Sequence, residues 1–224
     1  QIDSGIGGGV DSISDAPIVY NDNLRKILLK SFTGKSLKEK LTPWSRMRPK
    51  LLKPKLPGVK EPRTGLSMGE STEIIAKDYA ISRHDQDTLA IESHTKANRA
   101  YDEGFYEDLV VPFEGVEKDN IIRHDSSIDK LASLSTVFDK GVNASLTPGN
   151  STSLTDGSAA VLLANDEWAN KNNLDIESYL TSFEIAAVNY IDNEGLLMAP
   201  AYAVSEMLKK QNLNLQDFDF YEIH

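Results

Sequence analysis

The 224-residue sequence contains no cysteine, which excludes disulfides, thiolate metal sites and a cysteine nucleophile within these residues. Apolar runs are short, such as residues 159–164, whereas a membrane-spanning helix needs roughly 20 apolar residues. The histidines lie ten, thirty and a hundred residues apart, a spacing that matches no metal frame, so we expect no metal site. The phosphate-loop motif G-x-x-x-x-G-K-[ST] and the nucleophile elbow G-x-S-x-G are also absent.

A dinucleotide site is not expected either. Gly5, Gly7 and Val10 fill the frame G-x-G-x-x-G, so its third glycine is missing. The stretch "IGGGVDSIS" instead indicates a strand that another backbone segment approaches closely. Because the chain opens directly on this strand, we expect it to be an internal fragment.

Positive charge is concentrated in one stretch of an acidic chain. The net charge is −10, yet residues 24–60 carry twelve Lys or Arg against one acid, Glu39. Such a stretch usually faces an anion such as phosphate, nucleic acid or an acidic membrane, and a solvated face is the alternative. Apolar residues at spacings of three and four, interrupted by prolines, predict short amphipathic helices there.

The rest of the chain alternates helix and strand patterns. A helix is predicted from about residue 68, and Ser82 with Asp85 predicts the start of a second helix, which Gly104 ends. Another helix is predicted from Ser127 to near Phe138, and one more from Pro200. Strands are predicted at 109–113, at the apolar run 159–164, and at 179–188 and 216–224. The last two strands, with the helix from Pro200 between them, predict α/β layers with parallel strands.

Four stretches, in order, resemble the thiolase family, and the resemblance covers essentially the whole chain. "GGGVDSIS" is similar to the family's Ala-Gly-Gly-x-Glu-Ser-Met-Ser segment. "SMGESTEIIAKDYAISRHDQDTLAIESHTKANRA" is similar to its Met-Gly-x-x-Ala-Glu and Ser-Arg-x-x-Gln-Asp helices. "TPGNSTSLTDGSAAVLL" resembles its Thr-Ala-Gly-Asn-x-Ser strand, and "DFDFYEIH" resembles the strand that leads to Asn-Glu-Ala-Phe or His-Glu-Ala-Phe.

The resemblance implies a fold and a domain order. The fold would be an α/β, thiolase-like layered αβαβα fold, here incomplete, with an inserted α-rich loop domain. Residues 1–20 and 146–172 would belong to the N-terminal thiolase domain, 21–145 to the inserted loop domain, and 173–224 to the start of the C-terminal domain.

The implied activity is acyl transfer between coenzyme A (CoA) thioesters. In this family a Cys takes the acyl group as a thioester, CoA accepts it, and a His and a second Cys move protons. Those residues would lie outside this chain, so the fragment by itself should be inactive. CoA would be a substrate, with no covalently bound cofactor.

Matching positions give the expected site residues. His224 matches the position that helps hold an oxyanion-hole water. Met68 and Phe138 match residues that line the acyl and pantetheine channel. Arg123 and Thr152 match residues that contact CoA, and Pro148 stands where a relative has Ala in the same turn. Lys130 departs from the pattern, because a relative has Ser there.

Two features point to a branch of the family. His224 stands where most thiolases have Asn, and the long basic stretch is typical of the thiolase subunit of the trifunctional fatty-acid oxidation complex. Long-chain 3-ketoacyl-CoA thiolysis in β-oxidation is therefore the first interpretation. The alternatives are an acetyltransferase that makes acetoacetyl-CoA, and a CoA-binding or membrane-adapter module without catalysis.

The resemblance also implies partners and a location. We expect a homodimer or homotetramer in the full-length protein. Residues 24–60 would either face the phosphates of CoA and a multifunctional β-oxidation α subunit, or lie on an anionic membrane. Nucleic acid is not expected, because that stretch contains only two aromatic residues, Phe32 and Trp44. The location would be the cytoplasm in a bacterium, and the mitochondrial matrix or the inner-membrane surface in a eukaryote.

Overall fold

The computed structural model describes residues 2–56, 58–192 and 194–223. Within them the chain forms two strands, seven α-helices and four short 3-10 helices. In chain order the strands and α-helices are β1 Ser4–Asp11, α1 Asp22–Thr33, α2 Leu37–Leu41, α3 Met68–Asp78, α4 Arg83–Asp102, α5 Ile128–Ala132, β2 Gly157–Ala164, α6 Asp166–Lys171 and α7 Ala199–Gln211. The 3-10 helices are Thr42–Arg46, Pro49–Leu52, Tyr190–Asp192 and Leu215–Asp217.

Contacts divide the chain into two compact units. The first contains Gln1–Val59 and Leu154–Asp175, and the second contains Lys60–Ser153 and Ile176–His224. Units defined by contacts need not coincide with homologous domains, so the predicted domain boundaries stay a prediction.

The first unit contains a two-stranded sheet. Strands β1 and β2 pair antiparallel, from Ser4 opposite Ala164 to Asp11 opposite Gly157. The prediction of parallel strands concerns the strand–helix–strand order at 179–224, so this antiparallel pair does not test it. The order of elements along the chain does not fix strand direction, and here residues 12–156 return the chain to the end of β1 that it left, as in a very long hairpin.

The glycines of β1 allow this pairing to be close. A Cβ atom added to Gly8 would lie 2.8 Å from the Ala159 carbonyl oxygen, nearer than two such atoms can approach. The expected close approach of another backbone segment is thus confirmed, and it explains why small residues occur on both strands.

The basic stretch folds as short helices around a small core in the first unit. Leu24 and Ile27 on α1 are buried with Leu51, and Leu28 and Met47 pack against them. Pro43 and Pro49 each stand at the beginning of a 3-10 helix. The prediction of short amphipathic helices interrupted by prolines is confirmed.

The helices of the second unit begin close to where the sequence predicts. Ser82 is the N-cap of α4, and its side chain accepts a hydrogen bond from the Asp85 N–H. Gly104, two residues after α4, has φ +75°, a conformation that favours glycine at a helix end. Helix α7 has Pro200 in its first turn.

Helix α5 is shorter than predicted. It ends at Ala132, although the apolar spacing predicted a helix to near Phe138. The Leu134 N–H donates to the Leu131 carbonyl, the tighter pattern of a terminating turn, and the Arg83 side chain donates to the same carbonyl. Tertiary contacts at this carbonyl thus end the helix early.

Three predicted strands are not present in the described part of the chain. Residues 110–112 have no regular secondary structure, and Phe113 forms a single bridge with Val116. Residues 179–188 and 216–223 form no ladder, although exposed and half-buried side chains alternate along 181–190 with the period of an extended strand. An apolar alternating pattern becomes a strand only beside a partner strand, and the described residues supply none here. Among them, no helix is long and apolar enough to cross a bilayer.

Candidate functional site

A cleft of about 840 Å³ lies in the second unit. Its walls are one face of α4, the loop at 119–126, the α5 region and the turn at 148–153. The α4 residues in the wall recur every three or four positions, so they share one helix face: Gln86, Leu89, Ala90, Ser93, His94, Ala97 and Tyr101.

The backbone of Arg123 is fixed against α4. Its N–H donates to His94 Nδ1 at 3.3 Å, and its carbonyl accepts from Asn98 Nδ2 at 3.0 Å. The Arg123 guanidinium itself forms no ion pair within the described ranges. A positioned backbone and an unpaired guanidinium suit the recognition of a phosphate or carboxylate group.

A second cation of the cleft, Lys130, is already paired. Its Nζ donates to the Asp125 carbonyl at 2.6 Å and to Asp125 Oδ2 at 2.8 Å. The hydrogen bond from Lys130 is the main reason why the pKa of Asp125 lies below its ordinary value. Arg123 is therefore the cation of this wall that a ligand can reach without breaking an existing pair.

Another wall of the cleft is a tight turn. The Asn150 side-chain oxygen accepts from the Thr147 N–H at 2.7 Å, and Thr147 Oγ1 accepts from the Gly149 N–H at 3.2 Å. Gly149 packs against α5 and the residues after it so closely that an added Cβ would lie 2.5 Å from Leu131 Cδ2 on α5 and 2.7 Å from Leu134 Cδ1. The predicted turn at 148–152 is present, and its position depends on the glycine.

One hydroxyl in this turn has no partner. Ser151 Oγ is buried in the cleft wall and forms no hydrogen bond with any described atom. A buried hydroxyl without a partner is unfavourable, because it has left water without compensation. A polar ligand in the cleft could supply the missing bond.

A buried polar network lies behind the turn. Glu73 on α3 and Asp87 on α4 are each only 2 % exposed. The Glu73 carboxylate accepts from the N–H groups of Ser145 and Leu146, and Asp87 accepts from Asn150 Nδ2 and Arg83 Nε. Both helices therefore hold the chain that leads into the turn.

The structure brings together three of the expected site residues. Arg123, Pro148 and Thr152 all line the cleft, although they come from two separate segments of the chain. Met68 and Phe138 are not among the lining residues.

Met68 and Phe138 are instead associated at the start of α3. The Phe138 ring packs directly onto Gly69, the residue that follows Met68, and leaves no room for a Cβ there. Met68 itself is largely exposed. His224 lies outside the described residues, so its predicted role stays a prediction.

Comparison with known proteins identifies the family. The model of the thiolase N-terminal domain matches residues 1–167 of this chain. The chain belongs to the thiolase family. The resemblance that the sequence motifs carried is confirmed.

Thiolase relatives match along the whole chain. 3-Ketoacyl-CoA thiolases of Colwellia psychrerythraea (strain 34H) and Yersinia pestis (strain Pestoides F) are each 38% identical over 230 aligned residues, which cover 100% of this chain and 52% of the relative. The chain therefore spans about half the length of the curated relatives it matches.

Solved thiolase structures share the fold. Acat5 thiolase from Ascaris suum, solved in complex with coenzyme A, has a TM-score of 0.74 and 25% identity and covers 96% of this chain and 51% of that one. The acetyl-CoA acetyltransferase of Bacillus anthracis has a TM-score of 0.73 and 25% identity, with 97% and 52% covered. The α/β, thiolase-like fold, incomplete in this chain, is thus confirmed.

Sequence reasoning missed the polar network behind the turn. No sequence pattern gives Glu73 or Asp87 a role in the site. One signal was available, because Arg83 and Asp87 are four residues apart on a helix, the spacing of an ion pair. Nothing local in the sequence connects Glu73 with Ser145, since this contact spans 72 residues.

Proposed function

We propose that the full-length protein is an acyl-CoA acyltransferase that cleaves 3-ketoacyl-CoA with CoA, giving acetyl-CoA and an acyl-CoA shortened by an acetyl unit. The observation that carries this proposal is the cleft at which Arg123, Pro148 and Thr152 meet. These are residues for which family resemblance implies contact with CoA.

The chemistry of the cleft suits CoA, which has an anionic end and a mostly uncharged tail. The Arg123 guanidinium would attract a phosphate, and the hydroxyls of Ser151 and Thr152 would bond polar groups. Leu89, Leu131 and Leu134 supply apolar surface for the tail.

The reacting groups of the proposed thiolysis come from outside these residues. A thiolate would attack the 3-keto carbon, the bond between C2 and C3 would break, and the acetyl-CoA carbanion would take a proton. The thiol of a second CoA would then release the acyl group from the enzyme. Because this chain has no cysteine, the proposed share of the residues in the cleft is to bind and orient CoA, and His224 keeps its predicted role at the oxyanion-hole water.

A second candidate reaction is the transfer of acetyl groups to form acetoacetyl-CoA. The similarity to the acetyl-CoA acetyltransferase of Bacillus anthracis favours it. The same CoA cleft would serve both reactions, and the acyl group accepted would distinguish them.

Thiolysis assays on the full-length protein test the proposal. We expect CoA-dependent loss of 3-ketoacyl-CoA, faster with a long acyl chain than with acetoacetyl-CoA. A preference for acetoacetyl-CoA would favour the second candidate. A folded protein that cleaves no 3-ketoacyl-CoA of any length would refute both.

We also propose that residues 24–60 face an anionic membrane. A cleft of about 940 Å³ in the first unit is lined by six cations and one acid: Lys26, Lys30, Lys38, Glu39, Arg46, Arg48 and Lys50. Apolar side chains lie on α1 and its neighbours, and Phe32 is 90% exposed. Cations beside exposed apolar side chains are typical of a peripheral membrane surface.

Co-sedimentation of the full-length protein with vesicles tests this contact. We expect binding to vesicles that contain anionic lipid and weaker binding as salt is raised, because exposed charges are screened. Replacing Phe32 with Ser should weaken binding at every salt concentration. Binding that is absent, or equal with and without anionic lipid, would refute the membrane proposal. A multifunctional α subunit would then be the remaining proposed partner.

The assembly and location of the full-length protein are proposals of the same kind. A homodimer or homotetramer is proposed, in the cytoplasm of a bacterium or in the mitochondrial matrix or on the inner-membrane surface of a eukaryote.

A further inference from the structure

Two buried carboxylates hold the turn that lines the cleft. Glu73 and Asp87 are each 2% exposed, and neither is at the cleft surface. Burying a carboxylate is costly unless hydrogen bonds replace the lost water. The position of the turn therefore depends on the hydrogen-bond donors that replace water at these two carboxylates.

Among the described residues, the hydrogen bonds to the Glu73 carboxylate all come from the segment that leads into the turn. Oε1 accepts from the Ser145 N–H at 2.7 Å and from Ser145 Oγ at 2.9 Å, and Oε2 accepts from the Leu146 N–H at 2.9 Å. Glu73 has no Lys or Arg partner among the ion pairs of the described residues. Backbone and hydroxyl donors replace water at this carboxylate, and Glu73 therefore fixes the positions of these donors.

Asp87 holds the other end of the turn through Asn150. Asp87 Oδ1 accepts from Asn150 Nδ2 at 2.9 Å, and Oδ2 accepts from Arg83 Nε at 2.7 Å. The same Asn150 amide donates to the Ser145 carbonyl at 3.1 Å, and its oxygen accepts from the Thr147 N–H. Asn150 thus joins Asp87 to the residues that Glu73 holds.

We propose that Glu73 and Asp87 are positioning residues for CoA, which fix the turn at 147–152 against α4 so that Pro148, Ser151 and Thr152 keep their places in the cleft. The inference deepens the proposed function and rests on it. Neither carboxylate touches the ligand, so each acts through the turn.

The central test replaces Glu73 with Gln in the full-length protein. The substitution keeps the size of the side chain but turns an NH₂ group toward an N–H donor, so the turn has to move. We expect the Kd and the KM for CoA to rise about tenfold, with kcat close to that of the wild type. Glu92→Gln is the matched control, because Glu92 is an exposed carboxylate on α4.

A second variant covers the case in which Glu73→Gln does not fold. Ser145→Ala removes one of the three bonds to Glu73 and keeps both backbone bonds. We expect a rise of about threefold in the Kd for CoA. A folded Glu73→Gln protein whose Kd for CoA stays within about twofold of the wild type would overturn the proposal. If Glu73→Gln does not fold, an unchanged Kd for CoA in Ser145→Ala would overturn it.

Hydrogen exchange separates this proposal from the proposed function. If the wild type neither binds CoA nor cleaves 3-ketoacyl-CoA, the proposed function fails. Faster amide exchange at 145–152 in the Glu73→Gln protein would still support the positioning of the turn, because this measurement needs no ligand. Unchanged exchange there would overturn it.

Discussion

The side chains of Ser67, Glu70 and Lys60 hold the beginning of α3 in place. Ser67 is the N-cap of this helix, and its side chain accepts from the Glu70 N–H, while Glu70 accepts from the Ser67 N–H. Lys60 also donates to both Glu70 oxygens at 3.0 Å. One carboxylate therefore closes the capping box and ties the helix to the segment before it.

Glu70 gives a pH dependence at the residue scale. The pKa of Glu70 lies at about 2, below its ordinary value of 4.5. The main cause is the hydrogen bond from the Ser67 N–H, and the next is the hydrogen bond from Lys60. A carboxylate whose pKa is lower in the folded than in the unfolded protein stabilises the fold at pH values above its unfolded pKa. This stabilisation is lost as the pH falls toward the pKa of the folded state. We expect Glu70→Gln to lower the denaturant midpoint at neutral pH, and the gap from the wild type to shrink between pH 4.5 and about 2.

Lys60→Met is the matched variant for this measurement. It removes the ion pair and keeps the stronger backbone bond, so it should lower the midpoint less than Glu70→Gln does. Chemical denaturation of the full-length protein over this pH range checks both. A gap for Glu70→Gln that stays constant with pH would contradict this interpretation.

At the scale of helices, the sequence predicts starts better than ends. The start of α4 depends on a bond between residues three apart, Ser82 and Asp85, so the signal is local and could be predicted. The capping box of Ser67 and Glu70 has the same S-x-x-E signal and could have been found the same way. The end of α5 depends on Arg83, 48 residues away, and no local pattern shows it.

Strands show the same limit more strongly. The apolar run at 159–164 was predicted to be a strand, and it lies within β2 because β1 lies beside it. The runs at 179–188 and 216–223 have strand patterns but no neighbouring strand in the described part of the chain. A strand is a property of a pair, so its pattern alone could not decide these cases.

At the scale of the whole molecule, the family could be identified from motif order, whereas the arrangement of the cleft could not. The resemblance named Arg123, Pro148 and Thr152 separately, and the fold brings them to one cleft. The network of Glu73, Asp87 and Asn150 behind that cleft is formed by contacts over more than sixty residues of sequence. Such contacts are absent from any short pattern.

Binding of CoA in the cleft of the second unit underlies both proposed reactions. Calorimetric titration of CoA into the full-length wild type and into Arg123→Ala measures this binding. Lys96→Ala is the matched control, since Lys96 is an exposed cation on α4 that does not line the cleft.

We expect Arg123→Ala to raise the Kd for CoA about tenfold and to make binding less sensitive to salt, because one charge-assisted contact with phosphate is lost. Lys96→Ala should bind CoA like the wild type. Equal Kd values for Arg123→Ala and the wild type, or no binding of CoA by the folded wild type, would show that this cleft is not the CoA site.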